Sequence, residues 1–207
     1  MKARLLGLLG LVALLTLPSL HAHAQAAGVK ALADSLQKGG YVIVFRHGAT
    51  NRDQADTDPL NYDSVAKQRL LSEPGKEVAR QVGQSFKALR IPLGTVYTSK
   101  FNRAVETGKL ISAREVTSSI DVTEGGLVAT PIENDRRAGA LKTLAATRPA
   151  EGTNTLVVTH KPNIIDAFGK EWFEVKEGEA SIFRPDGNGG ATLIARVQAS
   201  DWINAAK

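Results

Sequence analysis

The chain has 207 residues, 43% of them hydrophobic and 23% charged, with a formal net charge of +5. That balance excludes a disordered or fibrous chain and fits one globular domain with a full core; without a basic run interleaved with aromatics, it also excludes nucleic acid as the natural partner. Cysteine is absent, which excludes a disulfide framework and a lipoprotein anchor built on a thiol.

Residues 1–24 read as a secretory signal peptide. Lys2 and Arg4 precede an apolar run of about 13 residues (5–17), Pro18 breaks it, and Ala22-His23-Ala24 predicts a cut after Ala24. The run is shorter than the roughly 20 residues of a membrane span, so no stable membrane insertion is expected after cleavage. A periplasmic or secreted location follows. Losing Lys2 and Arg4 leaves 24 cations against 21 acids, a mild excess of +3 that suits anionic substrates.

The mature chain reads as a single domain over 25–207. An Ala-rich helix is predicted over 25–37, stopped by Lys38-Gly39-Gly40 before a buried strand at 41–45 (YVIVF). Residues 48–68 are polar and without period, the pattern of a long functional loop. Ser72 then caps a helix whose Val78, Val82, Phe86 and Leu89 recur at three- and four-residue spacing, and Ile91-Pro92-Leu93-Gly94 ends it. A strand follows at 95–99, a helix at 102–112, a strand at 118–123, a helix at 135–147 and a fully buried strand at 155–159 (TLVVT). Segments 179–184 and 191–197, around Pro185-Asp186-Gly187-Asn188-Gly189-Gly190, read as an antiparallel hairpin. The fold class is therefore α/β, a mostly parallel central sheet flanked by helices, with a C-terminal antiparallel hairpin.

In such sheets ligands bind outside the carboxyl ends of the strands. Three strands end in Arg46-His47-Gly48, in Ser99-Lys100-Phe101-Asn102-Arg103 and in His160-Lys161-Pro162-Asn163. Two arginines and two histidines brought together would cage a tetrahedral dianion, because guanidinium forks match phosphate oxygens. Gly48 would let the backbone approach closely, and the amides opening the helix at Asn102 would add positive field beside Arg103.

FRHGAT, LLSEPGKEVARQVGQSFKAL, YTSKFNRAVETGKLI and LVVTHKPNI, in this order, resemble the histidine phosphatase superfamily, whose best-known members are the cofactor-dependent phosphoglycerate mutases. The likeness runs from about residue 41 to residue 163. It implies a phosphoglycerate mutase-like fold and a phosphoric monoester hydrolase working through a phosphohistidine on His47, without cofactor or metal. Arg46, Arg103 and His160 would hold the phosphoryl oxygens, with Gly48 and Asn51 also at the substrate. Lys161 and Pro162 follow His160, unlike the branch that places an acid there. The other branch takes its general acid from after the third strand, where Glu124 is favoured over Glu133. The implied substrate is a phosphorylated small molecule or an envelope glycan, including phosphate on a lipopolysaccharide core; a catalytically weak phosphate-binding protein is the alternative. Neither substrate identity nor oligomeric state is legible.

The remaining conspicuous residues take ordinary readings. Asp53, Asp56 and Asp58 are expected in a solvated loop, Lys161 in solvent, and Trp172 and Trp202 at a surface edge or against the sheet.

Overall fold

The computed structural model describes residues 19–126 and 128–207, residues 19–27 as backbone only. Most of the predicted leader thus lies outside the described residues. Helix α1 (Ser19–Leu36) begins six residues before the expected start and runs through the predicted cut after Ala24. Among the described residues no helix is long and apolar enough to cross a membrane.

Strands β1 (Val42–Arg46), β2 (Leu93–Ser99), β3 (Thr117–Ser119), β4 (Asn154–Thr159), β5 (Ala180–Pro185) and β6 (Ala191–Val197) form one sheet in the order β3-β2-β4-β1-β5-β6. The first four strands in that order run parallel, and β5 and β6 add the antiparallel hairpin expected from the sequence. Alternation along β1 loads both faces: Ile43 and Phe45 join a core with α1, while Val42 and Val44 face the opposite way. Helices α2 (Glu73–Ala88), α3 (Asn102–Ser112) and α6 (Ala199–Ala205) cover the first face with α1, and α4 (Pro131–Ala146) and α5 (Lys161–Phe168) the second. Central β4 is therefore buried at every residue, as a doubly covered parallel strand must be.

Local chemistry explains where boundaries moved. The buried residues of α2 are Gly75, Ala79, Val82, Ser85 and Phe86, with Ala79 in place of the half-buried Val78. Gly75 is required there, because a Cβ would lie 2.1 Å from the Ala49 carbonyl oxygen. The third strand is shorter than expected: Ser119 accepts from the Asp121 amide and turns the chain into a 3-10 turn at Ile120–Val122. Helix α4 starts at Pro131 rather than 135, since Thr130 accepts from the Glu133 amide and Pro131 suits the first turn. The short helices α5 and α6 were not anticipated.

Neither tryptophan sits at the surface. Trp202 is fully buried with its ring 5.0 Å from that of Phe86, nearly perpendicular, and Trp172 donates from Nε1 to Ser181 Oγ at 2.8 Å.

Candidate active site

Sheet register brings the two histidines together. Arg46 pairs with Thr159 in the parallel β1–β4 ladder, so the next residues, His47 and His160, leave neighbouring strands side by side. Their ring centroids lie 5.0 Å apart at an interplanar angle of 61°.

His47 is buried, and its Nδ1 lies 2.8 Å from the Gly48 carbonyl oxygen. A carbonyl only accepts, so Nδ1 carries the proton and Nε2 keeps its lone pair. Burial, with His160 and the two arginines adding to it, holds His47 well below the usual histidine range despite the Gly48 bond. The imidazole is therefore neutral at neutral pH. Gly48 is locked in turn, its amide donating to Thr107 Oγ1 at 3.1 Å. Its expected close approach is to the protein's own backbone, since a Cβ there would meet the Gly75 carbonyl oxygen at 3.1 Å.

His160 is held differently. Its Nε2 lies 2.6 Å from Ser99 Oγ, which already accepts from the Phe101 amide at 3.1 Å. Ser99 Oγ can donate to Nε2 or accept from it, so the tautomer is set at the other nitrogen: Nδ1 lies 3.3 Å from Glu124 Oε1, though not aligned as a hydrogen bond, and a proton there keeps two lone pairs from facing each other. Burial, then Arg103, Arg69 and Arg46, hold this ring well below the usual histidine range as well.

Arg103 has no exposed surface. One terminal nitrogen donates to Asp56 Oδ1 at 2.9 Å and to the Arg69 carbonyl at 3.4 Å, and the other is ion-paired with Glu124. Its guanidinium lies over the Phe101 ring at 4.2 Å, and its Nε is buried with no partner among the described residues. Arg46 donates from one terminal nitrogen to the Val175 carbonyl at 2.7 Å, has Glu177 at 3.7 Å from the other, and keeps an unpartnered buried Nε. Each arginine thus retains an unpaired buried donor, the kind of group an anion satisfies.

Glu124 follows the 3-10 turn and touches both Arg103 and His160. Thr123 fixes it there: its carbonyl accepts from Arg137 at 3.0 Å and Asn163 at 3.2 Å, and its hydroxyl takes the Lys100 amide at 2.9 Å. Glu133 is not brought to the site. It lies on α4 paired with Arg136 and Arg137, which draw its carboxyl down to about 2. Asn51 donates to the Leu71 carbonyl at 3.5 Å, and Lys161 lies 5.9 Å from the Phe173 ring centre.

Two loop residues depart from expectation. Asp56 is not a solvated loop acid, because it accepts from Arg103 and from the Arg69 amide at 2.9 Å. Buried Gln68 accepts the Asn102 amide at 2.7 Å, so a side chain rather than a ligand occupies that helix-opening donor. An acid in an aperiodic loop carries no local signal of either role; Ser99, by contrast, stood inside the YTSKFNR stretch.

Among described residues no three His, Cys, Asp or Glu side chains converge as a metal set.

Residues 42–126 match the family model described as histidine phosphatase superfamily (branch 1), a stretch that includes His47, Arg103 and Glu124 and ends before His160. The chain carries that superfamily's pattern over these residues. No curated protein matches the sequence. The structure is similar to the protein histidine phosphatase SixA with tungstate, at 18% identity and TM-score 0.55 over 78% of this chain and 98% of that one. A phosphoserine phosphatase mutant from Entamoeba histolytica with phosphoserine aligns at 14% and 0.56, over 78% and 98%. A mycobacterial glucosyl-3-phosphoglycerate phosphatase with inorganic phosphate aligns at 16% and 0.54, over 78% and 99%. At such identities the likeness is one of fold.

Proposed function

We propose that this chain is a phosphomonoesterase of the histidine phosphatase type with His47 as nucleophile. The observation that carries the reading is the His47 ring itself, neutral, with Nδ1–H held by the Gly48 carbonyl, its lone pair left on Nε2, its ring beside that of His160 and within the field of Arg46 and Arg103.

In the first step His47 Nε2 attacks phosphorus, an N–P bond forms and the ester O–P bond breaks. The departing oxygen takes a proton from Glu124. Water then attacks the phosphoryl group and returns a proton to Glu124, and the N–P bond breaks to release inorganic phosphate. Arg46, Arg103 and His160 Nδ1–H oppose the charge on the equatorial oxygens, which is the larger part of catalysis in phosphoryl transfer. An incoming dianion competes with Glu124 for Arg103.

The leader-like start of the sequence supports an envelope or secreted setting, and the phosphatases of this fold support a phosphorylated small molecule as substrate, with an envelope glycan as the larger variant. The test is hydrolysis of 4-nitrophenyl phosphate in chelator by the wild type and by His47→Ala. Turnover in the wild type, lower by at least about 10³-fold in the variant, is the expected result. A variant that keeps its turnover overturns the mechanism, and a wild type that binds phosphate without hydrolysing any ester points to the binding protein instead.

A further inference from the structure

Two edges of a guanidinium can grip an anion with two parallel hydrogen bonds, the edge joining its terminal nitrogens and the edge joining Nε to Nη2. In Arg103 the first of these is spent. Nη1 is committed, donating to Asp56 Oδ1 at 2.9 Å and to the Arg69 carbonyl at 3.4 Å. Nε is buried with no partner among the described residues, and Nη2 meets Glu124 Oε1, the atom that also lies 3.3 Å from His160 Nδ1. The Nε–Nη2 edge therefore carries the donor that converges with His160 on one point of the cage.

Asp56 comes to Arg103 from a loop whose limbs are tied. A bridge between Thr50 and Leu71 and the bond from the Asn51 amide to the Leu70 carbonyl at 3.1 Å close its base, and the Thr57 amide donates to the Lys67 carbonyl at 2.9 Å across its middle. Asp56 Oδ1 also accepts the Arg69 amide at 2.9 Å, so a single oxygen ties both limbs to the guanidinium. Beside it Gln68 Oε1 takes the Asn102 amide at 2.7 Å, and the loop thus holds the first two residues of α3 together. Glu124 supplies Arg103 with a second counter-charge but must yield when a dianion arrives. Asp56, bonded to the other terminal nitrogen, keeps its place.

Resting on the phosphatase reading above, we infer that Asp56 is a positioning residue for the reaction: it holds Nη1 so that the Nε–Nη2 edge of Arg103 stays aimed at the phosphoryl oxygens once the substrate has displaced Glu124. Without it the guanidinium turns about its last side-chain bonds. Its charge then stays near the site while the paired contact is lost, which weakens the transition state more than the bound ester. The two properties of Asp56 divide accordingly. Its charge offsets the burial of Arg103 and serves stability, whereas the place of its oxygen serves turnover.

The test measures kcat and KM on 4-nitrophenyl phosphate in chelator, the dissociation constant of inorganic phosphate and the melting temperature, for Asp56→Asn, Asp56→Glu and Asp56→Ala. Asp56→Asn keeps the accepting oxygen without the charge; its melting temperature should fall while kcat stays within about threefold of wild type. Asp56→Glu keeps the charge on a longer arm, and Asp56→Ala keeps neither property. In both, kcat should fall by about 10- to 10²-fold, with KM and phosphate affinity changed by less than about threefold. The contrast between Asp56→Asn and Asp56→Glu decides the matter even where Asp56→Ala fails to fold. A kcat for Asp56→Asn at or below that of Asp56→Glu overturns the positioning role. So does tighter phosphate binding in Asp56→Ala with kcat undiminished, which would make Asp56 a competitor for Arg103. A wild type that turns over no ester removes the phosphatase reading and the positioning role with it.

Discussion

The two arginines of the site are held in opposite ways. Arg103, enclosed in the first turn of α3, is surrounded by carboxylates, Asp56 on one side and Glu124 on the other. Arg46, at the end of β1 and partly exposed, leans on a backbone carbonyl with Glu177 at a longer distance. A guanidinium removed from water needs counter-charge to offset its desolvation, whereas one that keeps some solvent can be positioned by a single well-aimed acceptor. The Arg103 wall is thus set by charge, and the Arg46 wall by the course of the backbone.

That course has its own anchor. Buried Glu179 accepts from Arg196 Nε and Gln198 Nε2, each at 2.6 Å, and from the Lys176 amide at 3.0 Å. Its carbonyl takes the Arg46 amide, and the Gly178 amide donates back to Arg46 and His47. The segment that presents Val175 to Arg46 is therefore pinned to the C-terminal hairpin.

The largest effect expected from breaking this contrast is at Arg103. Arg103→Ala leaves two carboxylates facing each other, so it should cost about 3–5 kcal/mol, lower the melting temperature by on the order of 10 °C and abolish turnover. Arg103→Lys should not restore activity, because one ammonium cannot serve both acids and a phosphate. A stable, active Arg103→Ala protein would refute the charge-held wall.

Glu124→Gln comes next. Loss of the acid should lower kcat by about 10²- to 10³-fold for an alkyl phosphate, and far less for 4-nitrophenyl phosphate, whose leaving oxygen needs little help. Equal losses on both esters would assign Glu124 to holding Arg103 rather than to proton transfer.

Glu179→Gln probes the other wall. It should lower kcat/KM by about tenfold through Arg46, within the loss expected when a charged, buried partner is weakened. A drop in melting temperature with kcat/KM unchanged would separate the clamp from catalysis.

The smallest effect is the pH dependence of stability. Both histidines are held below the unfolded value of 6.5, so between that value and their folded values the unfolded chain binds protons that the folded one refuses. Stability should be fully present above about pH 6.5 and fall below it, by up to about 1.4 kcal/mol per pH unit for each histidine. His47→Ala should flatten part of this slope in denaturant titrations; an unchanged slope would place the proton uptake elsewhere.

Much of this architecture is written in local pattern. Buried apolar runs marked β1 and β4, and a Ser cap with a recurring apolar stripe marked α2, because those signals depend on near neighbours alone. Residues Arg46, His47, Arg103, Glu124 and His160 were legible as strand-end or turn-end residues. Where a competing cap intervened, as Ser119 does at β3 and Thr130 at α4, the boundary followed the cap instead of the hydrophobic pattern.

What the amino-acid order alone determined was the set of strands and the chemistry waiting at their ends. Tertiary structure decided the partners: the β1–β4 register that sets two rings side by side, Asp56 reaching Arg103 across 47 positions, and Glu133 left outside. Those pairings join residues far apart in the chain, and burial makes an unpaired charge too costly to leave alone, so only the packed fold selects which carboxylate meets which cation.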